Sequence, residues 1–409
     1  MNAPVCRFCA AELATVVADL GMSPPSNALV DPARQSQPET FYPLRLFVCE
    51  RCWLVQLEQF QSPADIFSDD YAYYSSYSTT WLAHVDAFAA GAIARFGLGP
   101  KSLVVEVASN DGYLLRRFAD RGIPVFGIEP ARNVAETAIA DGIPTAIEFL
   151  TAAAGSELAA RGHAGDLVVG NNVLAHVPDL NDFVAGLAAL VKSSGVLTLE
   201  FPHLLRMVER SEFDTIYHEH FSYFSLASAT AVLEAHGLYV IDVDELPTHG
   251  GSLRVYARRM RSTPSAAVER VHNAERVAAL TTVQGYAGLQ KNAEAVKIAL
   301  LEFLIRCKRD GAKVVGYGAP AKATTMLNFC GIRTDLLPYT VDRSPHKQGK
   351  LIPGVRIPID SPEHITYTRP DYVLILPWNI KDEVTKQMAA IRDWGGRFVV
   401  AIPELTVLP

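Results

Sequence analysis

A chain of 409 residues that is 49% hydrophobic and 20% charged is long enough for two or three hydrophobic cores and is neither disordered nor fibrous. Its net charge of −7 argues against nucleic acid as a partner, since no cationic surplus is there to displace counterions. The start "MNAPVCRFCA" lacks a basic segment followed by an apolar run, and no window reaches the roughly 18 apolar residues of a membrane span. A cytoplasmic protein without a membrane partner is expected.

Residues 1–64 form a first region with two CxxC pairs, Cys6/Cys9 and Cys49/Cys52, separated by residues 10–48. Six cysteines in so long a chain are too few for a disulfide scaffold, whereas four thiolates in two knuckles match the donor set of a structural, tetrahedral Zn²⁺. The alternative, two redox dithiols, needs a thioredoxin-like βαβ setting that this stretch lacks. A small region with few apolar groups is expected to depend on the metal for folding. Between the knuckles, "GMSPPSNALVDPARQSQPE" reads as a long loop.

Residues 65–260 form the second region. Apolar runs "SLVVEVAS", "PVFGIEP", "DLVVGNNVL" and "GVLTLEFP" alternate with amphipathic segments, which predicts βαβ units and a parallel sheet. "LYVIDVDEL" and "SLRVYARR" follow each other without a helix and predict an antiparallel pair closing that sheet. The first strand runs into a loop, Ser109-Asn110-Asp111-Gly112, and then a helix opening at Tyr113 and Leu114. In such sheets a ligand sits beyond the carboxyl ends of the strands, near a helix N-terminus. Glu129 ends the second strand, where a carboxylate can accept both ribose hydroxyls of an adenosine, and Asn171 and Asn172 end the third. Taken singly, Asp111 is as readily a helix cap and Glu129 a solvated turn residue; on successive strand ends they favour an adenosine cofactor. The loop has only Gly112, so the GxGxxG of a pyrophosphate-binding dehydrogenase is missing. S-adenosylmethionine has no phosphate, and its positive groups suit an acidic loop.

Residues 261–409 begin with Ala-, Glu-, Lys- and Leu-rich helical sequence, a connector, and continue as a second αβ region with strands "KVVGYGA", "LPYTVDR", "DYVLILPW" and "RFVVAIP". "GYGAPAKATT" makes a glycine-containing strand-to-helix turn that carries Lys322, an arrangement compatible with phosphate.

Nine segments in one order, "CRFC", "CERC", "DYAYYSSYS", "SNDGYLL", "NNVLAHVPD", "YHEHFSYFS", "LPTHGGSLR", "GYGAPAKATTMLNFCGI" and "HKQGKLIPGVRIPI", give the chain a resemblance along almost its whole length. It resembles the nucleotide-sugar C-methyltransferases of deoxysugar and antibiotic biosynthesis, such as those acting at C-3' in the tetronitrose and kijanose pathways. The resemblance implies an α/β architecture of three parts: a zinc-binding domain, a class I S-adenosylmethionine methyltransferase domain of Rossmann-like form, and a C-terminal Rossmann-like domain. It implies S-adenosylmethionine and structural zinc as cofactors, and as substrate a nucleotide-linked 4-keto-deoxysugar, with dTDP the expected nucleotide. A monomer is expected, with a weak dimer as the alternative.

By the same resemblance His220 is the base, with Tyr217, Glu219, His176 and Tyr71 beside it. Glu106, Ser109, Asn110, Asp111, Gly112, Tyr113, Leu114, Glu129, Asn171 and Asn172 would meet the cofactor. Tyr73, Ser75, Ser76, His249, Tyr317, Lys322, Lys347 and Lys350 would meet the sugar nucleotide. The chemistry is consistent: a carbonyl at C-4 acidifies the C-3 hydrogen, a histidine is matched to remove it at neutral pH, and the enolate then takes the methyl group. Tyr217 or His176 is expected to donate to the C-4 oxygen, and Glu219 to orient a histidine. His218 reads as part of a buried hydrogen-bonded network. The spacing in "HEH" differs from helical HExxH, so a catalytic metal is not expected. Two other readings stay open at this point: a nicotinamide-dependent oxidoreductase acting on a nucleotide sugar, and a non-catalytic, zinc-stabilised binding protein.

Overall fold

The computed structural model describes residues 4–66, 74–77 and 79–408. Tyr71 and Tyr73 lie outside the described residues.

Sequence analysis assigns no strands to the first region; the structure has three. β1 (Thr15–Ser23), β2 (Tyr42–Val48) and β3 (Val55–Leu57) form an antiparallel meander. Each CxxC ends in a residue with positive φ, Ala10 at 58° and Trp53 at 60°. The amides of those two residues bond back to the carbonyls of Cys6 and Cys49. Two matching knuckles thus face each other.

Helix α1 (Thr79–Phe96) leads into the central sheet, whose strands are β4 (Val104–Val107), β5 (Val125–Ile128), β6 (Thr145–Ala146), β7 (Gly165–Asn171), β8 (Val191–Pro202), β10 (Tyr239–Leu246) and β11 (Ser252–Arg258), with β9 (Ser222–Tyr223) set apart. The order across the sheet is β10-β11-β8-β7-β4-β5-β6. From β8 to β6 the pairs are parallel, while β11 runs antiparallel to both β8 and β10, so the expected closing pair is present. A class I methyltransferase sheet has this arrangement. All four residues of β4 are buried, as a strand covered on both faces requires. The chain order reverses between β4 and β7, and that switch point is where such sheets take their ligands. β9 leaves this sheet altogether and pairs with β3, making the N-terminal meander four-stranded.

Beyond α2 (Ala266–Val277) and α3 (Leu289–Arg309), the third sheet is parallel through β14 (Ile359–Asp360), β13 (Thr340–Val341), β12 (Val314–Tyr317), β15 (Tyr372–Ile375) and β16 (Arg397–Val400), with β17 (Thr406–Leu408) added antiparallel. Its switch point lies between β12 and β15. Gly318 just past β12 has φ 90°, and a Cβ there would stand 2.5 Å from Pro377, so only glycine fits the crevice. α4 (Ala321–Cys330) starts from it. One core joins β1–β3, α3 and the third sheet, and a second joins Cys6 and Cys49 to the central sheet, so the three regions share their interiors.

Candidate active site

The carboxyl ends of the central and C-terminal sheets face a shared cavity of about 690 Å³. On the central-sheet side, the loop after β4 carries three left-handed residues, Ala108 at 56°, Asn110 at 50° and Gly112 at 75°. A Cβ on Gly112 would approach Ile143 and Ala138 to 3.1 and 3.2 Å, so the glycine is needed for space as well as for conformation. The helix after the loop begins at Leu115, two residues later than expected, and Tyr113 and Leu114 are buried ahead of it.

Glu129 holds this loop. One of its oxygens accepts from the Asn110 amide at 2.9 Å and the other from the Ala131 amide at 2.9 Å. Burial pushes its pKa up to about 7, against those amides and with Asp111 adding to the rise. Glu106 lies wholly buried beneath, its pKa driven well above the carboxylate range by burial and by the neighbouring acids. Asn171, 7% exposed, has neither amide atom paired, and Ser109 Oγ, Asp111 Oδ1 and Asn172 Oδ1 are likewise buried without partners. Unpaired buried polar atoms are costly, about 1–3 kcal/mol each, unless a ligand answers them. An acidic, hydrogen-bonding loop of this kind fits a cation rich in hydroxyl and amine groups, as S-adenosylmethionine is. Asn110, Tyr113, Glu129, Asn171 and Asn172 line the cavity, with Ser109, Asp111 and Gly112 in the supporting loop.

Across the cavity, His220 Nδ1 lies 3.0 Å from the Thr215 carbonyl, and Nε2 lies 2.6 Å from the Tyr217 hydroxyl. A carbonyl only accepts, so Nδ1 carries the proton of the neutral ring and Nε2 receives the tyrosine's. Burial, with His176 and His249 adding to the fall, pushes the His220 pKa well down, so the ring is neutral at neutral pH and free to accept a proton. His176 stands edge-on to it, ring centres 4.7 Å apart. Burial takes the His176 pKa down to about 4, while a hydrogen bond to the Glu219 backbone works the other way.

The Glu219 carboxylate itself contacts no histidine. Asn27, from the loop between the knuckles, donates to both of its oxygens at 2.9 and 2.7 Å, and burial raises its pKa to about 7. The contact of Glu219 with His176 is thus made by its main chain, while its carboxylate is held by Asn27. His218 lies outside the cavity wall, Nε2 on the Pro43 carbonyl at 3.2 Å and the ring between Tyr42 and Phe60.

Of the residues expected to meet a sugar nucleotide, Ser75, His249, Lys322 and Lys347 line the cavity. Ser75 and Ser76 are tied to the cofactor loop: the Ser75 amide donates to Asn110 and the Ser76 hydroxyl to Asp111, at 2.9 and 2.5 Å. Tyr317 is not on the wall; its hydroxyl donates to Gln387 at 3.0 Å. Lys350 is also outside the wall. Sequence reasoning missed Asn27, Trp81, Glu148, Phe149 and Asn379, all on the wall. Glu148 and Phe149 had a usable signal, since they follow β6 at the edge where Glu129 follows β5.

In the N-terminal module the four cysteine sulfurs all lie within 4.8 Å of one another, with Cys6–Cys52 and Cys9–Cys49 at 3.5 Å. Gln56 donates to Cys6 at 3.2 Å as an outer partner. Four soft donors at that spacing fit tetrahedral zinc with no open position.

Family models match in three blocks: a zinc binding domain over residues 6–67, a methyltransferase domain over 81–243 and a C-methyltransferase C-terminal domain over 247–403. The C-methyltransferase NovU of Streptomyces niveus is 36% identical over 410 residues, spanning 98% of this chain and 96% of that protein. The chain belongs to the S-adenosylmethionine-dependent C-methyltransferases. Among solved structures, the magnesium protoporphyrin IX methyltransferase ChlM of Synechocystis PCC 6803 with bound SAM is 19% identical, covering 44% of this chain and 79% of that one at a TM-score of 0.34. The 1,6-didemethyltoxoflavin-N1-methyltransferase of Burkholderia thailandensis, with S-adenosylhomocysteine, is 19% identical over 51% and 95% at 0.38. By its family and its four-cysteine cluster the C-methyltransferase takes S-adenosylmethionine and zinc as its cofactors, and no helix among the described residues is long and apolar enough to cross a membrane. When bound, S-adenosylmethionine supplies an electrophilic methyl group; binding and proton movement fall to the chain's own residues.

Proposed function

We propose that the enzyme methylates C-3' of a nucleotide-linked 4-keto-deoxysugar, with dTDP as the nucleotide, through deprotonation to an enolate. The observation that carries this reading is the Thr215–His220–Tyr217 chain on the wall of the cavity that the cofactor loop also lines. Carbon is a poor nucleophile until a proton leaves it, so a C-methyltransferase needs a base facing the methyl donor, and His220 is placed to be that base. Its Nε2 is engaged by Tyr217, so the proton passes through the hydroxyl: the phenolic oxygen takes the C-3 hydrogen as its own proton moves to Nε2. The imidazolium then pairs with the enolate, whose charge raises the basicity of the ring as the proton arrives. Lys347 and Ser75, which line the same cavity, are the residues proposed to meet the nucleotide.

Incubating the enzyme with a dTDP-4-keto-6-deoxysugar and S-adenosylhomocysteine in heavy water tests this directly. The expected result is deuterium entering C-3 without methylation. His220→Asn should bind both ligands and lose exchange by about 10² to 10⁴-fold, the range for a positioned base. Exchange undiminished in that variant would remove His220 from the role.

A further inference from the structure

Tyr217 and His176 were the expected donors to the C-4 oxygen, but the structure has committed their protons. The Tyr217 hydroxyl points its single proton at His220, and the neutral His176 ring is bonded to the Glu219 backbone. An enolate oxygen in a water-poor cavity needs a donor aimed at it, and losing one such donor costs about 10² to 10³ in rate. Two lysines line the cavity, and of these Lys347 is already engaged, donating to the Ala319 carbonyl at 3.0 Å and paired with Asp342. Lys322, in the first turn of α4 at the switch point of the third sheet, lines the cavity, donates to Asn379 at 3.0 Å and lies 4.5 Å over the Trp378 ring. Lys322 shares the cavity lining with His220 and His249, whose pKa values are pushed down by burial first, with this ammonium adding to the fall.

We propose that Lys322 is the catalytic cation that holds the C-4 oxyanion of the enolate, and not a ligand of the diphosphate. This rests on the enolate reading above. As the C-3–H bond breaks, its proton passes to Tyr217 and His220, its electron pair forms the C-3–C-4 double bond, and the carbonyl π pair moves onto oxygen beside the Lys322 ammonium. When C-3 bonds to the methyl carbon, the pair on oxygen returns to the carbonyl and the methyl–sulfur pair stays with sulfur. The company Lys322 keeps decides between one charge and several. Buried Glu212 and Asp214, the latter held by Trp378 Nε1 at 2.8 Å, already surround it. A diphosphate would bring several permanent negative charges beside two buried carboxyls that Lys322 offsets together with Arg206 and Arg210 near Glu212. An enolate adds one charge, and only while the proton sits on His220.

The test measures two quantities, deuterium exchange at C-3 at saturating sugar nucleotide and the Kd of thymidine diphosphate. For Lys322→Gln, exchange should fall about 10² to 10³-fold while the thymidine diphosphate Kd changes by less than about threefold. Retained exchange with a weakened Kd would make Lys322 a phosphate ligand and overturn the proposal. The single variant leaves buried acids unbalanced, so Lys322→Gln with Glu212→Gln is the companion that restores the local charge balance. It should fold and still lack exchange; exchange regained in the pair would show that Lys322 only neutralises Glu212. If the wild type neither exchanges nor methylates the 4-keto sugar nucleotide, the substrate reading and this proposal fall together, whereas a failure confined to the variants leaves the substrate reading standing.

Discussion

At the scale of single residues, the hydroxyl 2.6 Å from Nε2 would make Tyr217 and His220 work as one base under the proposed mechanism. Two groups that share one proton path give non-additive losses. Tyr217→Phe should therefore slow C-3 exchange by a factor like that of His220→Asn, about 10² to 10⁴, and the double variant should be little worse than either. Wild-type exchange in Tyr217→Phe would instead mean that the hydroxyl swings aside and the imidazole meets C-3 directly. His218 offers the control within the same motif: it packs against Tyr42 and Phe60 outside the cavity wall, so His218→Asn should leave exchange intact.

At the scale of elements, the loop after β4 and the end of β5 behave as a unit, because Glu129 accepts the Asn110 amide across them. Its pKa, raised to about 7 by burial, would link cofactor binding to pH. A bound cation and donated ribose hydroxyls favour the carboxylate, so binding lowers this pKa and releases a proton. Affinity for S-adenosylmethionine should then be full above pH 7 and fall by up to about tenfold per unit below it. Calorimetry in buffers of different ionisation enthalpy reads the released proton, and an affinity flat from pH 6 to 8 would place the charge change elsewhere. Glu129→Ala should cost about 1.5–3 kcal/mol of binding, the value of hydrogen bonds to a charged group. Much of this edge was legible in sequence: strands with Val- and Ile-rich runs announced β4, β5, β7 and β8, and the residues just past them had to face the ligand. What was not legible lies in contacts that no local period encodes. Asn27 and Glu219 are 192 positions apart, and nothing in "PPSNAL" signals an amide bound for the active site. The bonds of Ser75 and Ser76 to Asn110 and Asp111 were equally illegible, because a loop motif names its residues without saying which neighbour they face. The strands of the zinc region escaped notice because bulges shift the β1–β2 register, which breaks the alternation a strand is read from.

At the scale of the whole molecule, the zinc module is built into the active site. β9, two residues past His220, is the fourth strand of its sheet, and its inter-knuckle loop supplies Asn27 to Glu219. The same loop is fastened to the C-terminal region. Glu39 pairs with Arg356 and accepts from the Gly354 amide at 3.0 Å, and Thr324 of α4 donates to the Ser26 carbonyl at 2.9 Å. Thr325 of α4 in turn donates to the Ile216 carbonyl next to Tyr217, at 2.8 Å. Both ends of that loop are anchored by cysteine pairs, so the metal sets the span over which these contacts are made. Zinc analysis should return about one ion per chain, by the four-thiolate site. Cys49 has no exposed surface, and Cys49→Ser should lower the thermal midpoint by on the order of 10 °C, since loss of a structural metal belongs with the largest single-site destabilisations. Because the metal acts through the fold, activity, S-adenosylmethionine binding and near-ultraviolet dichroism should decline together as chelator strips the protein, each tracking the folded fraction. Activity lost while cofactor affinity and the dichroism stay whole would give zinc a part in the chemistry itself, and protein prepared without chelator that holds no zinc would end the claim that the four cysteines bind it.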